Sequence, residues 1–181
     1  MYSWGLNTQG ALGLGSTVPA TDRPQLVDKL LDVTQASCGS HFTLFLNSDG
    51  EVKACGNNHF GQLGINKSNQ NNLWFKPTAV NINEKIGQIA AGDTHTLYLT
   101  QDGRVYASGD NQSCQLARPV DQCKFIHEPI LVENLCDIQS VSCDIYSVAL
   151  TRSRGDLYLW GRGDFGEYPQ PTRVSSIPVS V

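Results

Sequence analysis

The chain has 181 residues, of which 40% are hydrophobic and 17% charged, and its 13 basic and 17 acidic side chains give a net charge of −4. The low charge and the 17 glycines favour a turn-rich β-structure and argue against a coiled coil or a disordered chain. The scattered basic residues argue against direct binding of nucleic acid. We expect no membrane segment and no signal peptide, and therefore a cytoplasmic or nuclear protein.

The predicted elements are short strands that recur along the chain. Residues 1–5 match only the return strand of a hairpin. Each later unit has a proline-led segment, a first strand, and a hairpin of two further strands. In chain order the predicted strands are 24–27, 33–38, 43–46, 52–55, 77–80, 86–91, 96–99, 105–108, 129–132 and 138–143.

Two Asp-Gly pairs mark the hairpin turns. They are Asp49-Gly50 and Asp102-Gly103. An Asp-Gly pair between apolar strands predicts a two-residue type I′ turn, in which both central residues have positive φ. The third hairpin has a longer turn that ends at Gly155.

The strands belong to a repeat of about 52 residues. Four glycines that each end a short apolar run are separated by steps of 51, 53 and 52 residues; they are Gly5, Gly56, Gly109 and Gly161. About four short strands in each unit of this length are typical of a β-propeller blade. We therefore predict one repeat region over residues 1–181, with three blades and partial strands at both ends.

Six cysteines lie far apart in the sequence. The closest pair, Cys136 and Cys143, is wider than the C-x₂₋₄-C spacing of zinc sites. We therefore expect no metal, and we expect no cofactor. Because no secretory signal accompanies the cysteines, we also expect six free thiols. The six are Cys38, Cys55, Cys114, Cys123, Cys136 and Cys143.

The repeat carries a recognisable signature. The segment Gly56-Asn-Asn-His-Phe-Gly-Gln-Leu-Gly64 resembles the W-G-x-N-x-x-G-Q-L-G motif of the regulator of chromosome condensation (RCC-type) repeat family. Residues 4–13 match it closely, and residues 109–117 and 160–167 are degenerate copies. The resemblance implies an all-β fold, a partial RCC-type propeller of about three to four four-stranded antiparallel blades. Its structural glycines are Gly5, Gly10, Gly13, Gly56, Gly61, Gly64, Gly109, Gly161 and Gly166, with Leu12, Leu63 and Leu116 as apolar plugs between blades.

The resemblance also implies an interaction face. Family members use acidic and histidine side chains on one face of the propeller. The candidate residues here are Asp93, His95, Asp144, Tyr146 and Asp164. For His95 a second interpretation is a hydrogen-bonded histidine within a blade.

The sequence contains no catalytic motif, so we expect a protein-interaction module and not an enzyme. The most specific reading of the resemblance is a small-GTPase (Ran-like) regulator or a guanine-nucleotide exchange factor. The alternatives are a scaffold subunit of a larger assembly, ciliary or other, and a bacterial effector that mimics the host Ran regulator after delivery into a host cell. Family propellers have seven blades, so we expect the open blade edges to be covered by another chain or by self-association.

Overall fold

The computed structural model describes residues 1–66, 71–144, 147–151, 155–163 and 166–176, with the side chains of residues 148–151 left aside. These residues form three four-stranded antiparallel sheets and one two-stranded sheet, so the predicted all-β partial propeller is confirmed. No helix within the described ranges has the length and apolar character needed to cross a membrane.

Each four-stranded sheet is one blade, and its strands follow one another in chain order. The half-blade consists of β1 (Tyr2–Leu6) and β2 (Ala20–Leu26). Blade 1 consists of β3 (Val33–Cys38), β4 (Phe42–Asn47), β5 (Val52–Asn57) and β6 (Leu73–Ala79). Blade 2 consists of β7 (Ile86–Ala91), β8 (His95–Thr100), β9 (Val105–Asp110) and β10 (Phe125–Leu131). Blade 3 consists of β11 (Ile138–Cys143), β12 (Ser147–Thr151), β13 (Leu157–Gly163) and β14 (Gly166–Arg173).

The two ends of the arc differ. The half-blade supplies the partial strands predicted at the beginning of the chain. At the other end β14 completes blade 3, and Val174–Ser176 form a 3₁₀ turn, so the partial strand predicted there has no counterpart in these residues.

The proline-led segments form the outer strands, which begin earlier than predicted. In blade 1 the pairing of β5 with β6 is interrupted between Ala54 and Gly56, opposite the part of β6 that contains Pro77. Proline has no N–H to donate to a ladder, so the outer strand bulges there.

The Asp-Gly hairpins differ from the type I′ prediction. Gly50 and Gly103 have φ of +77° and +87°, but neither Asp49 nor Asp102 is among the residues with positive φ. Gly50 N–H donates to the carbonyl of Asn47 at 3.1 Å. This is a three-residue loop in which a type I turn is followed by one left-handed glycine. The prediction of the turn type is therefore wrong because only one of the two positions is left-handed.

Blade 3 has one residue fewer than blade 2 between its first two strands and one residue more in the hairpin that follows. Cys143 pairs with Ser147, four residues later, whereas in blade 2 Ala91 pairs with Thr96, five residues later. Ser147 pairs with Trp160, as Thr96 pairs with Ser108, so the hairpin of blade 3 is one residue longer. Ser147 is therefore the structural counterpart of Thr96.

The core lies between neighbouring blades and is sealed by the predicted plugs. Leu63, on the loop after β5, is fully buried in one cluster with Ala54 of blade 1 and Tyr98 of blade 2. Leu116, on the loop after β9, is fully buried in a second cluster with Trp160 of blade 3. Each plug shares its buried cluster with an alanine of its own blade, Ala54 or Ala107, and we call these loops plug loops.

A buried asparagine holds each plug loop in shape. The side-chain oxygens of Asn7, Asn58 and Asn111 accept the backbone N–H of the plug leucines at 2.9 to 3.0 Å. This pairing explains the asparagine of the repeat signature as a structural residue, because a buried amide must be hydrogen-bonded. All nine repeat glycines have positive φ, and in the loop after β9 Cys114 and Ala117 hold the same left-handed positions.

Glutamines on the first strands join one blade to the next. Gln35 donates from Nε2 to the carbonyl of Ile89 at 2.8 Å and accepts the Ile89 N–H at 3.0 Å. Gln88 makes the same two bonds to Val141, both at 3.0 Å. A side-chain amide thereby continues the hydrogen bonding of a β-ladder between separate sheets.

We expect Gln88→Ala to destabilise the protein by about 1–3 kcal/mol, because the substitution leaves the N–H and carbonyl of Val141 without these partners. Urea unfolding measures the loss, and hydrogen exchange at the Val141 amide should become faster. The control is Gln139→Ala, at an exposed neighbouring position on β11. Equal losses for the two variants would contradict the bridging role of Gln88.

Candidate functional site

The candidate site lies at the end of the blades where β3, β7 and β11 turn into the next strand. We call the surface formed by Ser40, Asp93, Asp110 and Asp144 the loop face. Asp93 and Asp144 are exposed, as the sequence predicts for an interaction face. The Asp-Gly hairpins lie at the opposite end of the blades.

Direct hydrogen bonds between blades hold the loop face together. Asp93 N–H donates to the carbonyl of Asp144 at 3.1 Å, and Ser40 N–H donates to the carbonyl of Asp93 at 3.4 Å. The Ser40 hydroxyl also donates to Oδ1 of Asp93 at 2.8 Å. Three successive blades thus fix the main chain of the loop face, and Ser40 also holds the carboxylate of Asp93.

Gly92 allows this close approach. A Cβ at this position would lie 2.5 Å from the carbonyl oxygen of Asp144 and 2.4 Å from Cε1 of His95. Only glycine therefore fits between the loop of blade 3 and the ring of His95.

Asp110 is a third carboxylate of the loop face that the sequence reasoning missed. Its Oδ2 accepts the hydroxyl of Thr94 at 3.4 Å, and its Oδ1 accepts the N–H of Gln112 at 2.9 Å. Asp110 occupies the variable position of the G-x-N signature, where the other copies have Leu6, Asn57 and Arg162. The acidic residue at this variable position is the sequence feature that could have identified Asp110 as a candidate.

His95 lies inside the protein, so its prediction as an interaction-face residue is wrong. Its side chain is 1% exposed, and its Nε2 lies 2.9 Å from Oγ of Ser147. The Ser147 hydroxyl donates to the carbonyl of Gln115 at 3.0 Å, so Nε2 of His95 is the donor to Ser147. Burial lowers the pKa of His95 to about 4, while nearby Asp93 opposes this shift. The alternative interpretation, a hydrogen-bonded histidine within the blade, agrees with this geometry.

The remaining candidates, Tyr146 and Asp164, lie outside the described residues. Among the described side chains, no group of three His, Cys, Asp or Glu residues is placed to hold a metal ion. All six cysteines are free, and burial raises the pKa of Cys55 and of Cys143 to about 12, so these two thiols are protonated at neutral pH.

The arrangement on the loop face suits recognition. Exposed carboxylates on a main chain fixed by hydrogen bonds attract a complementary basic surface and orient it. The fold and this face together define a class: a propeller built from blade repeats, with variable side chains on the loops of a regular scaffold.

The chain belongs to the regulator of chromosome condensation (RCC1) repeat family. The family model matches residues 1–46, 49–99 and 102–149. A second model of the same repeat matches residues 33–62 and 87–115. The predicted family is therefore confirmed.

Curated relatives share the repeat over most of this chain. The regulator of chromosome condensation of Mus musculus is 34% identical over 162 residues, which cover 87% of this chain and 38% of that protein. The probable E3 ubiquitin-protein ligase HERC6 of Homo sapiens is 32% identical over 183 residues, 98% of this chain and 18% of that protein. This chain spans less than half the length of either relative.

Among solved structures, Prp20p of Saccharomyces cerevisiae superposes with a TM-score of 0.80 at 26% identity, over 96% of this chain and 45% of that one. Human WBSCR16 superposes with a TM-score of 0.83 at 23% identity, over 96% of this chain and 46% of that one, and shows the shared fold alone.

Proposed function

We propose that the protein is a non-enzymatic binding module that regulates a small GTPase of the Ran class through the loop face. The observation that carries the proposal is the hydrogen-bonded array of Ser40, Asp93 and Asp144, contributed by three successive blades. An exchange factor needs no catalytic acid or base. It acts by binding the nucleotide-free GTPase better than the nucleotide-bound form.

The relatives support the choice of partner. One solved relative was studied for its binding to Gsp1p and histones. A relative 36% identical over 118 residues is named the X-linked retinitis pigmentosa GTPase regulator of Homo sapiens. Such partners need a defined recognition surface, and the loop face, whose main chain is hydrogen-bonded across three blades, supports this choice.

The test is nucleotide release from Ran, followed with a fluorescent guanine nucleotide. We expect the protein to bind Ran and to accelerate release, and we expect the double variant Asp93→Asn, Asp144→Asn to lose about tenfold or more of that acceleration. Removing two carboxylates lowers the attraction for a basic surface without changing side-chain size. The thermal midpoint should stay within about two degrees of that of the unchanged protein, because both side chains are exposed.

The matched control is Asp49→Asn, an exposed carboxylate on a hairpin at the opposite end of the blades. It should leave binding and release unchanged. Equal loss in the control would show a general effect of net charge and would contradict a specific role of the loop face.

A scaffold function is the second candidate, and the exposed face of the half-blade favours it. Tyr2, Trp4 and Leu6 alternate along β1 and are 59%, 61% and 76% exposed. Apolar side chains in such a row mark a surface for another protein. Binding to a partner without acceleration of nucleotide release would support this candidate over the exchange factor.

A further inference from the structure

Two phenylalanine rings from neighbouring blades meet at the end of the blades that carries the loop face. Phe60 lies on the plug loop of blade 1, and Phe125 begins β10 of blade 2. A Cβ at Gly61 would lie 2.5 Å from the carbonyl oxygen of Ile126, so the loop and the strand approach closely here. The ring centroids lie 5.2 Å apart with the planes inclined at 37°, and Phe125 is 40% exposed. The pair therefore presents aromatic surface to solvent at the junction of two complete blades.

Asp110 of the loop face lies beside this pair. It is the strand partner of Phe125, and the side chains of directly opposite residues lie on the same side of a sheet, with Cβ atoms about 4.5–5.5 Å apart. Its carboxylate accepts the Thr94 hydroxyl and the Gln112 N–H, and neither donor is charged. Within the part of the chain that the structure describes, Asp110 belongs to no ion pair. A carboxylate without a cationic partner therefore adjoins the exposed ring of Phe125.

The preceding junction shows what another copy of the repeat places here. Asn57 holds the place of Asp110, and Gln9 holds the place of Phe60 on its plug loop. Asn57 donates from Nδ2 to Oε1 of Gln9 at 2.6 Å, so side-chain amides join the plug loop to the next blade. A phenyl ring offers no hydrogen bond of this kind. The plug loop of blade 1 therefore leaves Asp110 to accept a donor from outside the protein.

A guanidinium group fits this arrangement. Rings 5.2 Å apart are in contact with each other, so no cation can be enclosed between them, and a ligand must lie on the outer face of Phe125. Guanidinium is planar, stacks on aromatic faces and can offer two N–H groups to one carboxylate. An ammonium group is a strongly hydrated point charge and gains less from an open aromatic face.

We infer that Phe60, Phe125 and Asp110 form a docking site for an arginine side chain of a partner protein. The guanidinium lies on the exposed face of the Phe125 ring and donates to the carboxylate of Asp110. The inference goes beyond the proposed function, because a partner of any class can present the arginine and the binding requires no GTPase.

The test is a peptide titration of the unchanged protein at constant ionic strength, without Ran. Acetyl-Gly-Arg-Gly-amide is added to ¹⁵N-labelled protein, and the corresponding lysine and citrulline peptides are compared with it. Citrulline has the shape of arginine without the charge. The reporter is the amide of Gln112, because its N–H donates to Asp110. We expect a saturable shift with arginine, binding at least about twofold weaker with lysine, and no shift with citrulline.

Two variants copy the residues that blade 1 carries at the same places, so the fold should accept them. Asp110→Asn, which copies Asn57, keeps an oxygen for the Gln112 N–H and should weaken arginine binding at least about threefold. Phe125→Leu, which copies Leu73, removes the ring and should weaken arginine binding about two- to fivefold. It should also reduce the preference for arginine over lysine, which a purely structural role of the ring would not change.

Asp49→Asn, at the opposite end of the blades, is the control of equal charge and should bind the arginine peptide as the unchanged protein does. A Gln112 amide that does not move with arginine, or moves equally with citrulline, would overturn the inference. Equal weakening by Asp49→Asn and Asp110→Asn would reduce the binding to a general effect of charge. Lysine bound as tightly as arginine would rule out stacking. Nucleotide release from Ran enters none of these readouts, so the inference and the proposed function can fail separately.

Discussion

We expect Gly56→Ala to be among the most destabilising single changes in the protein, with a loss of about 3–6 kcal/mol. Gly56 has φ of +113°, a conformation that costs a residue with a side chain about 1–3 kcal/mol. A Cβ here would also lie 2.4 Å from the carbonyl oxygen of His41 and 2.5 Å from Cα of Phe42. Backbone atoms on a neighbouring strand cannot move aside without disturbing blade 1, which adds an overpacking cost. Urea unfolding measures the loss.

The chain contains its own control for this effect. Gly5 holds the same place in the half-blade with φ of +116°, and nothing lies within 4 Å of a Cβ built on it. Gly5→Ala should therefore show the conformational cost alone, at least about 2 kcal/mol less than Gly56→Ala. Equal losses at the two positions would mean that the close approach of the strands contributes nothing.

Acidification should destabilise the protein through His95. The pKa of His95 is lowered from 6.5 to about 4 in the folded state because the buried ring loses solvation. Above pH 6.5 the ring is neutral in both states, and the full stability is present. As the pH falls from 6.5 towards 4, the unfolded state takes up a proton that the folded state excludes, so about 3 kcal/mol is lost. Urea unfolding between pH 7 and pH 4 measures this slope.

His95→Phe should remove most of that slope. The corresponding place in blade 1 is held by Phe42, which is fully buried, so the site between blades tolerates a phenyl ring. Ser147 keeps its bond to the carbonyl of Gln115 in the variant. His41→Gln, at an exposed histidine, is the control and should leave the slope unchanged. A slope that persists in His95→Phe would assign the pH dependence to carboxylates instead.

The fold was largely predictable because the repeat constrains it. The regular glycines located the blades, and the plug leucines were identified as buried from their place in the signature. The turn type was not predictable from Asp-Gly alone, since the residue two positions before the aspartate also affects it. Asn47 accepts the N–H of Asp49 and of Glu51 through its Oδ1, which favours a type I turn over the two-residue alternative.

The candidate site was less predictable because exposure depends on neighbouring blades. Asp93 and His95 are two residues apart, yet one is on the surface and the other is buried against Ser147 of the next blade. No local pattern distinguishes them, since the partner lies 52 residues away. Asp110 was missed for the related reason that its role depends on Thr94, which lies on the loop before β8 of the same blade.

The one-residue shift in blade 3 affects how relatives should be compared with this protein. An alignment counted from the repeat glycines matches Val148 to Thr96. The strand pairing shows that Ser147 is the equivalent of Thr96. Successive side chains of a strand point to opposite sides, so an ungapped alignment assigns Ser147 to the wrong side of its sheet. Residue roles transferred along such an alignment would exchange the two surfaces of the blade, and substitutions chosen from it would test a contact that does not exist. Alignments of this repeat should place a gap before Ser147 and an insertion in the following turn.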